Sequence, residues 1–171
     1  LSQSPQALKF LDINLRRDCY SIETVRTSLE YADILKMNEN EVWELKRMLE
    51  LQGSSVPDLA ESVQNRFSLE AVLVTLGDRG VFSRSARGRA IYIPGYRVAV
   101  VDSVGAGDAF SAGFLHSWLQ GTGLEEACDF GNRLGALVAT LRGGTTPLAK
   151  EALESFAAGH LERNIDRDLH P

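Results

Sequence analysis

Asp102 and Asp108 bracket the run Ser-Val-Gly-Ala-Gly, and directly behind them comes the apolar run Ala-Phe-Ser-Ala-Gly-Phe-Leu-His-Ser-Trp-Leu. Phe110, Phe114, Leu115, Trp118 and Leu119 recur at the spacing of one helical face, which predicts a helix beginning between Gly105 and Asp108. The N–H groups of a first helical turn have no intrahelical partners, and they stand at the positive end of the helix dipole. With Gly105, Ala106 and Gly107 letting a ligand approach the backbone, this turn suits a phosphate or a developing oxyanion. A fixed charge on Asp108 would repel such an anion unless the carboxylate has work there. Kept ionised by the local field, it can accept the proton of a hydroxyl as a general base. The structural alternative is that Asp108 only supports the helix start, where Asp is favoured; the flanking glycines and Asp102 favour the base.

Other glycine-loop chemistries fit less well. A dinucleotide fingerprint needs Gly-x-Gly-x-x-Gly, and its third glycine position is Phe110. A Walker A loop needs Gly-Lys, a pair that occurs nowhere in the chain. The 171 residues, 44% hydrophobic, suffice for one domain with a core. A net charge of −5 with scattered Lys and Arg gives no footprint for nucleic acid. No apolar run of about 18 residues and no charged-then-apolar leader is present, so no membrane partner is expected and the cytoplasm is the default location. Cys19 and Cys128 lack metal-ligand spacing and read as reduced thiols.

The elements that must position these groups alternate. Residues 8–13 read as a buried strand, 22–31 as a helix with Val25, Leu29 and Ala32 on one side, and 34–37 as a second strand. Residues 41–51 form a helix with Val42, Leu45, Met48 and Leu49 on its stripe, and Pro57 suits the first turn of another running to Phe67. Residues 71–76 are apolar enough for both faces of the strand to be covered, the mark of a parallel sheet between helix layers. Residues 80–85 and 89–93 read as a hairpin. Helices at 109–119, 124–141 and 149–157 follow, and a charged tail is expected to fray. Trp43 and Trp118 read as core, and His116 as packing or solvent. The pattern is α/β, a mostly parallel sheet with an antiparallel hairpin.

At this point the segment 102–108 resembles the C-terminal signature of the PfkB carbohydrate kinases, the ribokinase-like family that includes fructokinases and ribokinases. Further pieces match in the family's order. Ala32-Asp-Ile-Leu-Lys-Met-Asn38-Glu-Asn-Glu41 resembles the strand ending in Asn-x-x-Glu, and Val74-Thr-Leu-Gly-Asp-Arg-Gly-Val81 the strand and turn that contact nucleotide. Leu11-Asp-Ile-Asn-Leu-Arg16 is similar to the family's Asp-x-Asn-x-Arg strand end. Gly131-Asn132-Arg133 and Arg142-Gly143-Gly144 resemble segments near the base. Alone, Asn38 and Glu41 are equally a helix start with an acidic first turn, and residues 77–80 are simply a turn.

The resemblance implies a ribokinase-like three-layer sandwich and transfer of the γ-phosphoryl of ATP to a sugar hydroxyl, on a fructose-like or related monosaccharide. Asp108 would be the base, with the N–H groups of Gly105, Ala106 and Gly107 on the transferring group. Glu41 would act on Mg²⁺ through water. Asn38, Thr75, Gly77, Gly80, Asn132 and Arg16 would serve the nucleotide, and Asp102, Val104 and Gly143 would stand around a monovalent cation such as K⁺. These pieces are expected to converge at the carboxyl ends of strands. The strand at residues 8–13 belongs in the middle of the family's fold, so the lid and sugar-recognition segments are expected to be absent. The exposed apolar surface would then be covered in a homodimer or by the missing N-terminal half. A non-catalytic nucleotide-binding or assembly module is the alternative.

Overall fold

A computed structural model describes residues 6–148, 150–158 and 162–169. The chain divides into two compact units, Leu1–Thr75 with Phe82–Ile91 and Leu76–Val81 with Tyr92–Pro171.

The first unit contains β1 (Phe10–Asp12), α1 (Ile22–Tyr31), β2 (Ile34–Asn38), α2 (Glu39–Leu49), α3 (Val56–Phe67) and β3 (Ala71–Thr75). Its three strands pair in parallel, with Leu11 beside Leu35, Leu35 beside Val72, and Asn38 beside Thr75. A parallel sheet with helical crossovers buries both faces, and Ile34, Leu35, Met37, Val72, Leu73 and Val74 have no exposed surface. Lys36 interrupts this apolar run, and a buried ammonium needs a partner. Its Nζ lies 2.7 Å from Asp12 Oδ2, on the neighbouring strand at the same register.

Each helix of this unit starts where a polar side chain replaces missing backbone bonds. Ser21, Asn38 and Ser55 accept the N–H of the third residue onward, and in each case that residue's side chain returns the bond. Because Asn38 takes the cap, α2 begins at Glu39, two residues before its expected start. It ends at Leu49, since Glu50 is left-handed with φ 54°. Strand β1 is shorter than the expected 8–13. Trp43, expected in the core, is 39% exposed on α2, away from buried Val42, Leu45 and Leu49, with the Lys46 ammonium 5.3 Å from its ring centre.

The second unit opens on a 3₁₀ turn, Gly77–Arg79. Strands β4 (Gly80–Ser85) and β5 (Ala90–Tyr96) contribute residues to both units. Then come α4 (Ala106–Leu119), α5 (Leu124–Ala139), α6 (Lys150–Ala158) and β6 (Arg163–Asn164). Ala149, expected to open the last helix, lies outside the described residues. Helix α4 packs along α5 with its backbone close: a Cβ at Gly131 would stand 2.9 Å from the Phe110 carbonyl oxygen. Phe110 and Phe114 are buried, and Trp118 stacks on Phe114 at 5.6 Å.

Two expectations fail in this unit. Leu119 is 70% exposed rather than on the buried face, because nine residues at 3.6 per turn place it about half a turn round from Phe110. The tail does not simply fray, since β6 pairs antiparallel with β5, Gly95 beside Asn164 and Tyr96 beside Arg163. Helix α5 stops at Ala139, whose carbonyl accepts the N–H groups of Val101 (2.8 Å) and Asp102 (3.2 Å). Among the described residues no helix is long and apolar enough to cross a membrane. Cys19 is exposed, Cys128 is buried, and both are free thiols.

Candidate active site

In the first unit, the carboxyl ends of β1, β2 and β3 gather the expected strand-end residues. Asn38 and Thr75 are register partners on the last rung of β2 and β3, and the Thr75 hydroxyl donates to the Met37 carbonyl at 3.4 Å. The side chain of Asn38 accepts the Glu41 N–H at 3.0 Å. Glu41, 7% exposed, accepts the Asn38 N–H on Oε2 at 2.6 Å and the Leu15 N–H on Oε1 at 2.9 Å. One carboxylate thus ties the loop after β1 to the start of α2. Asn14 beside it is left-handed, with φ 40°. Arg16 is exposed, and its carbonyl accepts the Cys19 N–H at 3.0 Å in a tight turn.

In the second unit, the segment before α4 is shaped by its own carboxylate. Asp102 accepts the Val104 N–H on Oδ1 at 3.0 Å and the Gly143 N–H on Oδ2 at 3.1 Å. These two amides, Val104's first, hold its carboxyl below the usual aspartate range. Gly105 caps α4 in the left-handed region, φ 82°, and a Cβ there would lie 2.7 Å from the Gly144 Cα. Only glycine meets both conditions. The Ala106 N–H donates to the Ser103 carbonyl at 3.2 Å, whereas those of Gly105 and Gly107 meet no acceptor among the described residues. Asp108 sits in the first turn of α4, exposed, and its carboxylate has no hydrogen-bond partner among the described residues. The combination of open amide donors and a solvated carboxylate within one turn can take an anion and a proton side by side.

The remaining expected residues are held on other elements of the second unit. Gly77 opens the 3₁₀ turn, which the Leu76 N–H closes onto the Gly80 carbonyl at 2.8 Å. Gly80 has φ 100°, and a Cβ there would meet the Ile93 carbonyl oxygen at 2.1 Å. Asn132, 8% exposed on α5, donates through Nδ2 to that same Ile93 carbonyl at 3.1 Å.

No group of three or more His, Cys, Asp and Glu able to hold a metal occurs among the described residues. A single carboxylate whose oxygens already accept amide N–H groups fits an Mg²⁺ ion that keeps its water, and does not fit an all-protein cage. Around Asp102, the available oxygens for a monovalent ion are backbone carbonyls. That of Gly143 also lies 3.4 Å from the Thr146 hydroxyl.

Three contacts escaped the sequence: the Leu15 amide on Glu41, the Gly143 amide on Asp102, where the resemblance implies only a shared cation, and Gly144 against Gly105. The first had a local signal in part, because Asn-x-x-Glu is a capping box and predicts that Glu41 turns back toward the strand. The other two join residues some 40 positions apart, and nothing local announces them.

A family model described as pfkB family carbohydrate kinase matches residues 2–151. The fructokinase of Escherichia coli is 34% identical over 157 residues, which cover 84% of this chain and 49% of that protein. Among solved structures, the ribokinase of Thermotoga maritima superimposes with a TM-score of 0.77 at 25% identity, over 92% of this chain and 52% of that one. A double mutant of the fructokinase of Vibrio cholerae O395, bound to fructose, ADP and potassium ion, gives 0.72 at 28% identity over 86% and 49%. The chain spans about half the length of the curated relatives it matches. The fold is therefore the ribokinase-like α/β fold.

Proposed function

The chain belongs to the pfkB family of carbohydrate kinases, and from that premise we propose that it serves the ATP-dependent phosphorylation of a sugar hydroxyl in the cytoplasm, on fructose or a related monosaccharide. Asp108 takes the proton of the attacking hydroxyl as the sugar O–P bond forms. The bond from the γ-phosphorus to the bridging oxygen breaks, and its electron pair leaves on ADP. The N–H groups of Gly105 and Gly107, with Ala106 between them, hold charge developing on the transferred group. The observation that carries this reading is the exposed carboxylate of Asp108, without a hydrogen-bond partner among the described residues, in the same turn as the Gly105 and Gly107 amides that meet no acceptor among them.

Glu41 would orient the water shell of Mg²⁺, with Asn38 beside it on the phosphates; the ion neutralises phosphate charge when bound. Arg16, Thr75, Gly77, Gly80 and Asn132 would serve the nucleotide. Asp102 fixes the loop whose Val104 and Gly143 carbonyls would hold K⁺.

A second reading is a nucleotide-binding module that transfers nothing. An ADP-release assay across a panel of sugars separates the two. Sugar-stimulated release is expected. Nucleotide binding with no sugar response, even with the N-terminal half of a fructokinase supplied in trans, would sink the kinase reading.

A further inference from the structure

The turn Gly77–Arg79 is short and largely solvent-facing, yet it is held from outside by a segment far along the chain. Strand β6 brings residues 162–169 alongside β5. From there the Asn164 side chain donates to the Asp78 carbonyl at 3.2 Å, across 86 residues. Asp166 Oδ2 lies 2.6 Å from Arg79 Nη1, across 87 residues. The Asp166 N–H donates to the Tyr92 hydroxyl at 2.8 Å, and that hydroxyl donates to the Arg79 carbonyl at 2.7 Å. Beneath the turn, a Cβ at Gly95 would stand 2.0 Å from the Asp78 carbonyl oxygen, so the turn rests directly on the β5 backbone.

One carbonyl of the turn and one of its side chains are therefore fixed by a single distant segment, which also donates to the Tyr92 hydroxyl of β5 that holds a second carbonyl. A 3₁₀ turn of three residues has little internal hydrogen bonding to define its shape. Left to itself, it would sample several conformations, and a ligand that needs one of them would bind more weakly by the fraction populated. The Asp166 carboxyl, held low by the Arg79 guanidinium, stays charged across the neutral range and keeps the grip.

We infer that residues 162–169 act as a clamp on the Gly77–Arg79 turn, with Asp166 and Asn164 as positioning residues for nucleotide binding. The inference rests on the reading of Gly77 and Gly80 as nucleotide contacts. It assigns the tail a role in affinity beyond covering β5.

The test is ADP binding by calorimetry on the full chain, with hydrogen exchange at residues 77–80 and thermal unfolding on the same samples. Asp166→Asn should weaken ADP roughly tenfold, the size of one charge-assisted hydrogen bond, and should speed exchange in the turn ahead of the β2 and β3 amides. The swapped pair Arg79→Asp with Asp166→Arg should recover most of the affinity that either single change loses, which a general loss of stability would not do. If Asp166→Asn unfolds the chain, Asn164→Ala removes only the bond to the Asp78 carbonyl and is read in the same way. Wild-type affinity in these variants, with wild-type protein binding ADP normally, overturns the clamp alone. Failure of the wild-type chain to bind ADP at all overturns the nucleotide reading, and the clamp with it.

Discussion

Glu41 accepts the amide of Leu15 at 2.9 Å, across 26 residues, while its second oxygen accepts the amide of Asn38 three residues back. The acidic residue expected to serve magnesium is therefore also the joint between the loop after β1 and the first turn of α2. Glu41→Gln would turn an amide donor toward one of two N–H groups, leaving one buried and unmet. The expected loss is about 1–3 kcal/mol of stability, read as a lowered urea midpoint with unchanged slope. A wild-type midpoint would show that the joint carries no stability.

The Asp108 carboxylate makes no hydrogen bond among the described residues, so its substitution tests chemistry rather than scaffold. Asp108→Asn should lower sugar-dependent turnover by about 10² to 10⁴, measured with whichever sugar the release assay identifies. Nucleotide affinity and the unfolding midpoint should move little. Near-normal turnover would take Asp108 out of the role of base.

Asp102 titrates with its loop. Its folded carboxyl is held low by the Val104 and Gly143 amides, so those bonds are present at neutral pH and are lost as pH falls through the folded value. Amide shifts of Val104 and Gly143 should therefore move together, with a common midpoint below the ordinary aspartate value of about 3.9. In Asp102→Asn that acid transition should vanish. Separate midpoints for the two amides would mean that they do not share one carboxylate.

Gly105→Ala combines a left-handed residue with a contact at 2.7 Å. The conformational cost alone is about 1–2 kcal/mol, and the clash adds to it. The expected result is a lowered thermal midpoint with fast hydrogen exchange at the start of α4. Gly77→Ala should be milder, since no atom lies within 4 Å of the Cβ it would add.

What could be read from the letters was local. Helix α1 falls on its expected span and Pro57 in the first turn of α3, whereas the Asn38 cap starts α2 two residues before its expected start. The start of α4 was legible because glycines and an aspartate precede an apolar run. Strand β6 was not, since two residues held by the Asp129 carboxylate and the Asp78 carbonyl carry no periodicity. Trp43 is exposed because helical phase outranks residue type, and α2 already fills its buried side with Val42, Leu45 and Leu49. The acid at position 108 was legible as a residue of the first turn of a helix. Its open surroundings depend on where Ser103 and the 143–144 segment fall.

The contact between Gly105 and Gly144, with Asp102 bonded to Gly143 across 41 residues, also bears on whether this loop could be moved. A graft of residues 102–108 into another scaffold would arrive without the surface that shapes it. The portable unit is the discontinuous pair of segments together with the ends of α4 and α5 that present them, and libraries that randomise one segment should hold the other fixed.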